Sequence, residues 1–422
     1  MTLNPPRRAV LAAAMGLGAA ALAASSLGLG AAHATGASAA KPLPTPNPTT
    51  PPTTPPALPR LAKGVNLSHW FEYERGQGVS AEEFRSLRAL GLDHVRIPVD
   101  PFVGGWSPER DSAPTFLPEL TSAVTQAVAA GLEVVVDLHL EPADKKRIED
   151  HARSEAGLVR LWTQLAAALG HLPHQRLAFE LFNEPQYYGA QRRRWPPLQR
   201  RLLAAVRAVA PQHLVLLSGS GGGSLEGLTG LVQAMAAPVG SGPSAARVVS
   251  ADPALAYVFH HYEPFLFTHQ GAAWLDERWT TAGLRRGLRY PPDEHTARAP
   301  LLREHPRAAN ELANYVNGGW GAERLRAEMD RAGAWARQHG VRLVCNEFGV
   351  IRQHVDEASR YRWLADVRQA LQANGIGWTV WDYTDIFGIT AQSAQLGQVG
   401  RRTLDGPAAA ALGLVAGVGV LR

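Results

Sequence analysis

The sequence predicts a (β/α)8 TIM barrel, an α/β fold in which parallel strands alternate with helices. Three observations carry that prediction. From Leu61 onward, eight short β-rich runs alternate with helical patterns, and alternation of that length closes a barrel. Polar residues recur at the C-terminal end of run after run, the end at which such barrels place their sites. Two runs lead into a glutamate, in Phe182-Asn183-Glu184-Pro185 and Cys345-Asn346-Glu347-Phe348-Gly349. A carboxylate ending a hydrophobic strand is costly unless something uses it.

The strands are read in order as Lys63–Leu67, His94–Val99, Glu133–His139, Leu177–Phe182, Leu214–Ser218, Tyr257–Tyr262, Val341–Cys345 and Gly377–Trp381. Helical spacing of apolar residues fills the intervals at Ala81–Leu90, Leu117–Ala130, Glu155–Leu169, Gln191–Val209, Ala322–His339 and Glu357–Ala373. The strand ends then carry His69-Trp70, Arg96, His139, Asn183-Glu184, Ser218, His260-x-Tyr262, Glu347 and Trp381. The connection from Glu263 to Trp320 is long for a barrel, and a loop of that length is usually functional. Its aromatics Phe265, Phe267, Trp274, Trp279, Tyr290 and Tyr315 suit either stacking on a flat ligand or anchoring the loop, with Trp274 the first candidate for a ligand contact.

The N-terminal segment reads as targeting rather than fold. Arg7-Arg8 precedes an Ala-rich apolar stretch, and Ala32-His33-Ala34 offers a cleavage site. Residues 1–34 are therefore expected to be an export signal, matching the twin-arginine pattern in part, which puts the mature protein in the periplasm or outside the cell. Residues 35–60 are a Pro/Thr-rich linker that cannot pack a core. Residues 61–422 form the single barrel domain, expected to be a monomer without stable membrane insertion. The net charge of +5 becomes +3 when Arg7 and Arg8 leave with the signal, too small an excess to argue for nucleic-acid binding. Cys345 is the lone cysteine, so no intrachain disulfide forms. Strand alternation puts Cys345 and Glu347 on one face, and Cys345 is read as a small buried apolar residue.

The residue types at the strand ends fit cleavage of a glycosidic bond, which needs one protonated and one ionised carboxyl. Strands four and seven face each other across a barrel mouth, so Glu184 and Glu347 can approach to the roughly 5–5.5 Å of a retaining pair. Asn183 offers an amide to a sugar 2-hydroxyl. Arg96 is a partner either for an ionised glutamate or, structurally, for Glu180. His260 and Tyr262 share a face and can orient both carboxyls. His139 is either a core histidine or a wall of the site, and His261 points outward.

These residues resemble glycoside hydrolase family 5, the cellulase A family. The matching strings are Gly64-Val65-Asn66-Leu67-Ser68-His69-Trp70-Phe71, His94-Val95-Arg96-Ile97-Pro98, Asp137-Leu138-His139, Phe182-Asn183-Glu184-Pro185, His260-x-Tyr262, Asn346-Glu347-Phe348-Gly349 and Trp378-x-x-Trp381. The resemblance implies a retaining enzyme without cofactor or metal, acting on a β-glucan or related polysaccharide. Glu184 would be the acid/base and Glu347 the nucleophile. Arg96, His139, Asn183, His260, Tyr262 and Trp381 would complete the −1 subsite, with His69, Trp70 and Trp274 as further substrate contacts. Leu140-Glu141-Pro142 departs from the second polar residue that many members carry after the histidine.

An endo-β-1,4-glucanase is the first reading. A β-mannanase, an exo-β-1,3-glucanase and a β-glucosidase-like member are alternatives within the class. Outside it stand a metal-dependent barrel hydrolase using His69, His139, His260 and His261, and a non-catalytic carbohydrate-binding barrel.

Overall fold

All eight expected strands form and pair in sequence order into one closed parallel barrel, β8 returning to pair with β1. They are β1 (Lys63–Asn66), β2 (His94–Val99), β3 (Glu133–Leu138), β4 (Leu177–Glu180), β5 (Leu214–Ser218), β6 (Leu255–His261), β7 (Leu343–Phe348) and β8 (Gly377–Val380). A computed structural model describes residues 57–73, 78–110, 112–236, 252–272, 288–293, 309–392, 402–415 and 420–421. The expected export signal and nearly all of the linker lie outside the described residues, as do Trp274 and Trp279. None of the described helices is long and apolar enough to cross a membrane.

The strands read as continuous apolar runs because both of their faces are covered. Val135, Ala178, Leu216, Val258 and Val344 fill the barrel interior. The residues between them, including Val134, Val136, Phe179, Leu217 and Phe259, pack against the surrounding helices. Those helices are α1 (Ala81–Ala89), α2 (Leu117–Ala129), α3 (Pro142–Asp150), α4 (Ala152–Leu169), α5 (Trp195–Val209), α6 (Leu231–Ala236), α7 (Phe265–Thr268), α8 (Ala309–Asn317), α9 (Ala322–His339), α10 (Glu357–Ala373) and α11 (Gly406–Ala411). Local chemistry sets several ends. Ser80 and Glu83 form a capping box at the start of α1, and Gly340 closes α9 in the left-handed conformation. A three-stranded antiparallel sheet of β9 (Thr390–Gln392), β10 (Arg402–Leu404) and β11 (Val420–Leu421) follows the barrel.

Three sequence expectations change. Arg96 does not end its strand: β2 continues through Pro98 to Val99, and Arg96 is its third residue, deep in the barrel. The seventh strand starts and ends later than expected, so Glu347 lies within β7. Cys345 and Glu347 do not share a face. The β6–β7 register pairs Phe259 with Cys345 and His260 with Glu347, which leaves Asn346 as an extra residue in β7. This bulge resets the alternation. Cys345 is buried in the layer that packs on the helices, whereas Asn346 and Glu347 both reach inward to Glu180 and Arg96.

The long connection after β6 carries α7 and α8. Phe267, Tyr290 and Tyr315 are fully buried there and anchor it to the core. Tyr290 donates its hydroxyl to Asp366 of α10 at 2.9 Å. For these three aromatics, anchoring is the role the structure supports.

Candidate active site

One pleat beyond the apolar barrel plug, inward residues turn polar: Arg96 on β2, Asp137 on β3, Glu180 on β4 and Asn346 on β7. Arg96 is fully buried and is the hub. Its Nε and Nη2 hold the two oxygens of Glu180 at 2.7 and 2.9 Å, and Nη2 also lies 2.9 Å from Asp137 Oδ2. Its Nη1 donates to Asn66 Oδ1 and to Glu347 Oε1, both at 2.8 Å. The two roles open for Arg96 are therefore filled together, pairing with Glu180 below and with Glu347 above. Burial pushes Asp137 up to about 7 against the pull of Arg96.

From this layer the order passes outward through defined donors. Arg96 Nη2 donates to Asn183 Oδ1 at 2.9 Å, and Asn183 Nδ2 lies 3.0 Å from His139 Nε2. His139 Nδ1 lies 2.8 Å from Asp137 Oδ2. Burial holds the imidazole far below its usual value, at about 3, so it is neutral. Neutral His139 then donates from Nδ1 to Asp137 and accepts at Nε2 from Asn183. One amide hydrogen of Asn183 remains for another acceptor. The Trp381 ring stacks on His139, with centroids 5.5 Å apart and planes at 27°.

Glu184 and Glu347 meet across the mouth. A carboxylate oxygen of each, together with His260 Nδ1, lies within 4.8 Å of the others. Nδ1 of His260 stands 2.8 Å from Glu184 Oε1 and 3.3 Å from Glu347 Oε2. Tyr262 donates its hydroxyl to Glu347 Oε2 at 3.0 Å. Glu347 is nearly sealed, at 6% side-chain exposure, whereas Glu184 keeps 26%. Glu184 adopts a left-handed backbone, φ 46°, four residues past the end of β4, which turns its side chain back over the mouth. Gly223 lies against both partners of this pair. A Cβ there would come within 3.2 Å of the His260 ring and 3.3 Å of Glu184 Cγ, and its φ of +71° favours glycine as well.

The charges divide accordingly. Burial opposes ionisation of Glu184, but the His260 hydrogen bond and the nearby Lys145 outweigh it and hold the carboxyl below its usual range. Burial lowers His260, and the two glutamates outweigh that and raise it. The proton therefore rests on His260 rather than on Glu184. Among the described residues, Glu184, His260 and Glu347 are the His/Asp/Glu trio close enough to surround an ion. Nδ1 of His260 is hydrogen-bonded to Glu184 within this trio. The four histidines of the metal-hydrolase alternative are not brought together. His261 is buried outside the barrel and stacks on Trp363, and His69 pairs with Asp385 at 3.1 Å.

Not every expected site residue joins. Trp70 packs on Phe71 and gives its indole N–H to Glu119 of α2, buried to 7% exposure. The apolar residue after a half-buried His69 turns into the helix layer and is not placed as a substrate platform. Ser218 spends its hydroxyl on the Phe182 carbonyl beneath the site.

Other residues were missed. Lys145 on α3 lies 3.7 Å from Glu184 Oε2. Pro142 at the helix start, Asp144 in the first turn and Arg147 in the last are the signals that could have marked α3. Glu72 is buried near Asp137 and Glu347, and burial raises it to about 8. Tyr73 and Tyr188, exposed at 43% and 37%, stand at the rim within electrostatic reach of Glu184. No local pattern distinguishes these three from surface residues.

Two carboxylates at this reach, at the C-terminal mouth of a parallel barrel, are the layout of a glycoside hydrolase. The chain belongs to the cellulase family, glycosyl hydrolase family 5, which it matches over residues 59–386. It is 25% identical to Endoglucanase 3 of Fibrobacter succinogenes over 362 residues, 78% of this chain and half the length of that relative. It is 24% identical to Endoglucanase C of Acetivibrio thermocellus over 76% of this chain and 90% of the relative. The crystal structure of endoglucanase Cel5A from Thermotoga maritima superposes with a TM-score of 0.63 at 21% identity, covering 84% of this chain and 97% of that one.

Proposed function

We propose that the protein is an endo-β-1,4-glucanase acting with retention of configuration, exported to the periplasm or beyond the cell. The observation that carries the chemistry is the approach of Glu184 and Glu347 to within 4.8 Å through their nearest oxygens, on the scale of a double-displacement pair and short of the roughly 6.5–9.5 Å of an inverting one. The β-1,4-glucan reading rests on the endoglucanases to which the chain is similar over most of its length. The export reading rests on the character of residues 1–34.

In this reading Glu347 is the nucleophile. Arg96 and Tyr262 each donate to one of its two oxygens and aim it. Tyr262 stays protonated, since burial and then the Glu347 charge raise its hydroxyl well above the usual tyrosine value. Glu184 is the acid/base, and His260 is its proton reserve: moving the Nδ1 proton 2.8 Å to Glu184 Oε1 gives a neutral imidazole and a carboxylic acid. Glu184 then protonates the leaving oxygen as Glu347 forms the bond to the anomeric carbon. In the second step Glu184 takes a proton from water, whose oxygen displaces Glu347. The free amide hydrogen of Asn183 is placed for the 2-hydroxyl, and Trp381 with His139 forms the sugar platform.

Incubating the protein with carboxymethyl-cellulose, glucomannan and laminarin tests this. A rapid viscosity drop on carboxymethyl-cellulose, with the β-anomer formed first by proton NMR, is expected. Glucose as sole product would replace endo by exo action. Turnover of glucomannan alone would make it a mannanase, and no turnover of any β-glycan would overturn the enzyme reading.

A further inference from the structure

We propose that Lys145 is a positioning residue for the hydrolysis, a buried ammonium that pairs with Glu184 and governs the pH range over which Glu184 gives up and retakes its proton. The proposal rests on the assignment of Glu184 as acid/base. Lys145 sits in the middle of α3, at only 3% side-chain exposure, with Nζ 3.7 Å from Glu184 Oε2. His260 holds the other oxygen, Oε1, so the carboxyl is gripped by a cation from each side. The contact is built in. Glu149, one turn after Lys145, accepts the backbone N–H of Gln186 at 2.7 Å. That bond ties α3 to the segment just past Glu184.

An ammonium is costly to bury without a partner. The carboxylates facing it are Glu184 together with Asp137, Glu141 and Glu149, and His139 faces it as a neutral ring. Glu184 is faced in turn by His139 just past β3, Lys145 from α3, and His260 from β6. Glu347 from β7 lies within 4.8 Å by its nearest ligand atom. Tyr262 just past β6 and Tyr73, Tyr188 and His269 from the loops complete its titratable surroundings. Lys145 and His260 are the cations in that set that touch the carboxyl.

A cation beside the acid eases proton loss, which narrows the alkaline side of the first step. It also favours the carboxylate that the second step needs as a base. Removing the charge should therefore raise the pH at which Glu184 ionises.

The test compares Lys145→Met with Lys145→Arg, using two readouts. Carbon NMR of side-chain-labelled glutamates, with Glu184→Gln to assign the signal, follows Glu184 in the free protein without any substrate. We expect Glu184 to titrate about one pH unit higher in Lys145→Met and near the wild-type value in Lys145→Arg. The alkaline limb of kcat/KM on carboxymethyl-cellulose, set by loss of the proton that His260 shares with Glu184, should also shift upward in Lys145→Met and stay near wild type in Lys145→Arg. If Lys145→Met does not fold, Lys145→Gln carries the same comparison. An unchanged Glu184 titration in a folded, uncharged variant would overturn the proposal. Absence of β-glucan turnover by the wild type would strike the proposed function alone and leave the NMR readout standing.

Discussion

Arg96 grips Glu180 through two parallel hydrogen bonds, from Nε at 2.7 Å and from Nη2 at 2.9 Å, and this fork leaves Nη1 turned toward Glu347. A structural ion pair thus aims a functional one. Arg96→Met would strand Glu180 and Glu347 in the barrel without their cation. Breaking a buried pair in this way costs about 3–5 kcal/mol, to be read by urea unfolding, and activity should vanish with it. Arg96→Lys restores one charge but not the planar fork, so it should recover stability in part and little activity. A cost under about 1 kcal/mol for Arg96→Met would contradict the hub role.

The two glutamates should respond differently to the same truncation. Glu347→Ala should be inactive on every β-glycan and regain turnover with azide, giving a glycosyl azide of inverted configuration. Glu184→Ala should lose about 10²–10⁴-fold on substrates whose leaving group needs protonation, and much less on activated aryl glycosides. Its azide product should keep the β configuration. The reverse pattern of product configurations would exchange the roles.

Asn183 has its carbonyl on Arg96 and one amide hydrogen on His139. Asn183→Ala should lower kcat/KM about 10²-fold on a glucoside. On the matching 2-deoxy substrate the loss should be small, because the missing hydroxyl has already removed the contact. Equal losses on both substrates would mean that the amide only positions its neighbours.

His261 is buried against Trp363 and held by burial at about 4, below its usual value. Between pH 6.5 and 4 the unfolded chain binds a proton there that the folded chain refuses, so this residue makes stability fall as pH falls. His261→Asn removes that dependence. The stability of the variant relative to wild type should rise as pH drops from 6.5 to 4, by about 1.4 kcal/mol for each unit of the shift removed, measured by urea unfolding across that range. A pH-independent difference would contradict it.

The barrel was legible because its signals are local. Apolar runs such as Glu133–Leu138 and Leu214–Ser218 form strands where they were expected, and α2, α9 and α10 follow their spacing almost to the residue. That His260 and Tyr262 can reach the two carboxyls followed from their shared strand face; which of them takes which glutamate did not. Trp70 shows the limit. It belongs to the motif that follows β1, yet only the packing of α1 and α2 reveals that its ring turns away.

By itself, then, the sequence determined the strand order, the closed barrel and the two carboxylates that face each other across its mouth, since periodicity and neighbouring residues encode these. The tertiary structure alone decided three things: the bulge at Asn346 that separates Cys345 from Glu347, the double engagement of Arg96, and the arrival of Lys145 beside Glu184. Each depends on how residues distant in sequence share one small volume. A bulge is a mismatch between two strands, and an ion pair is a matter of ångströms, so neither leaves a mark on the period of a single chain segment.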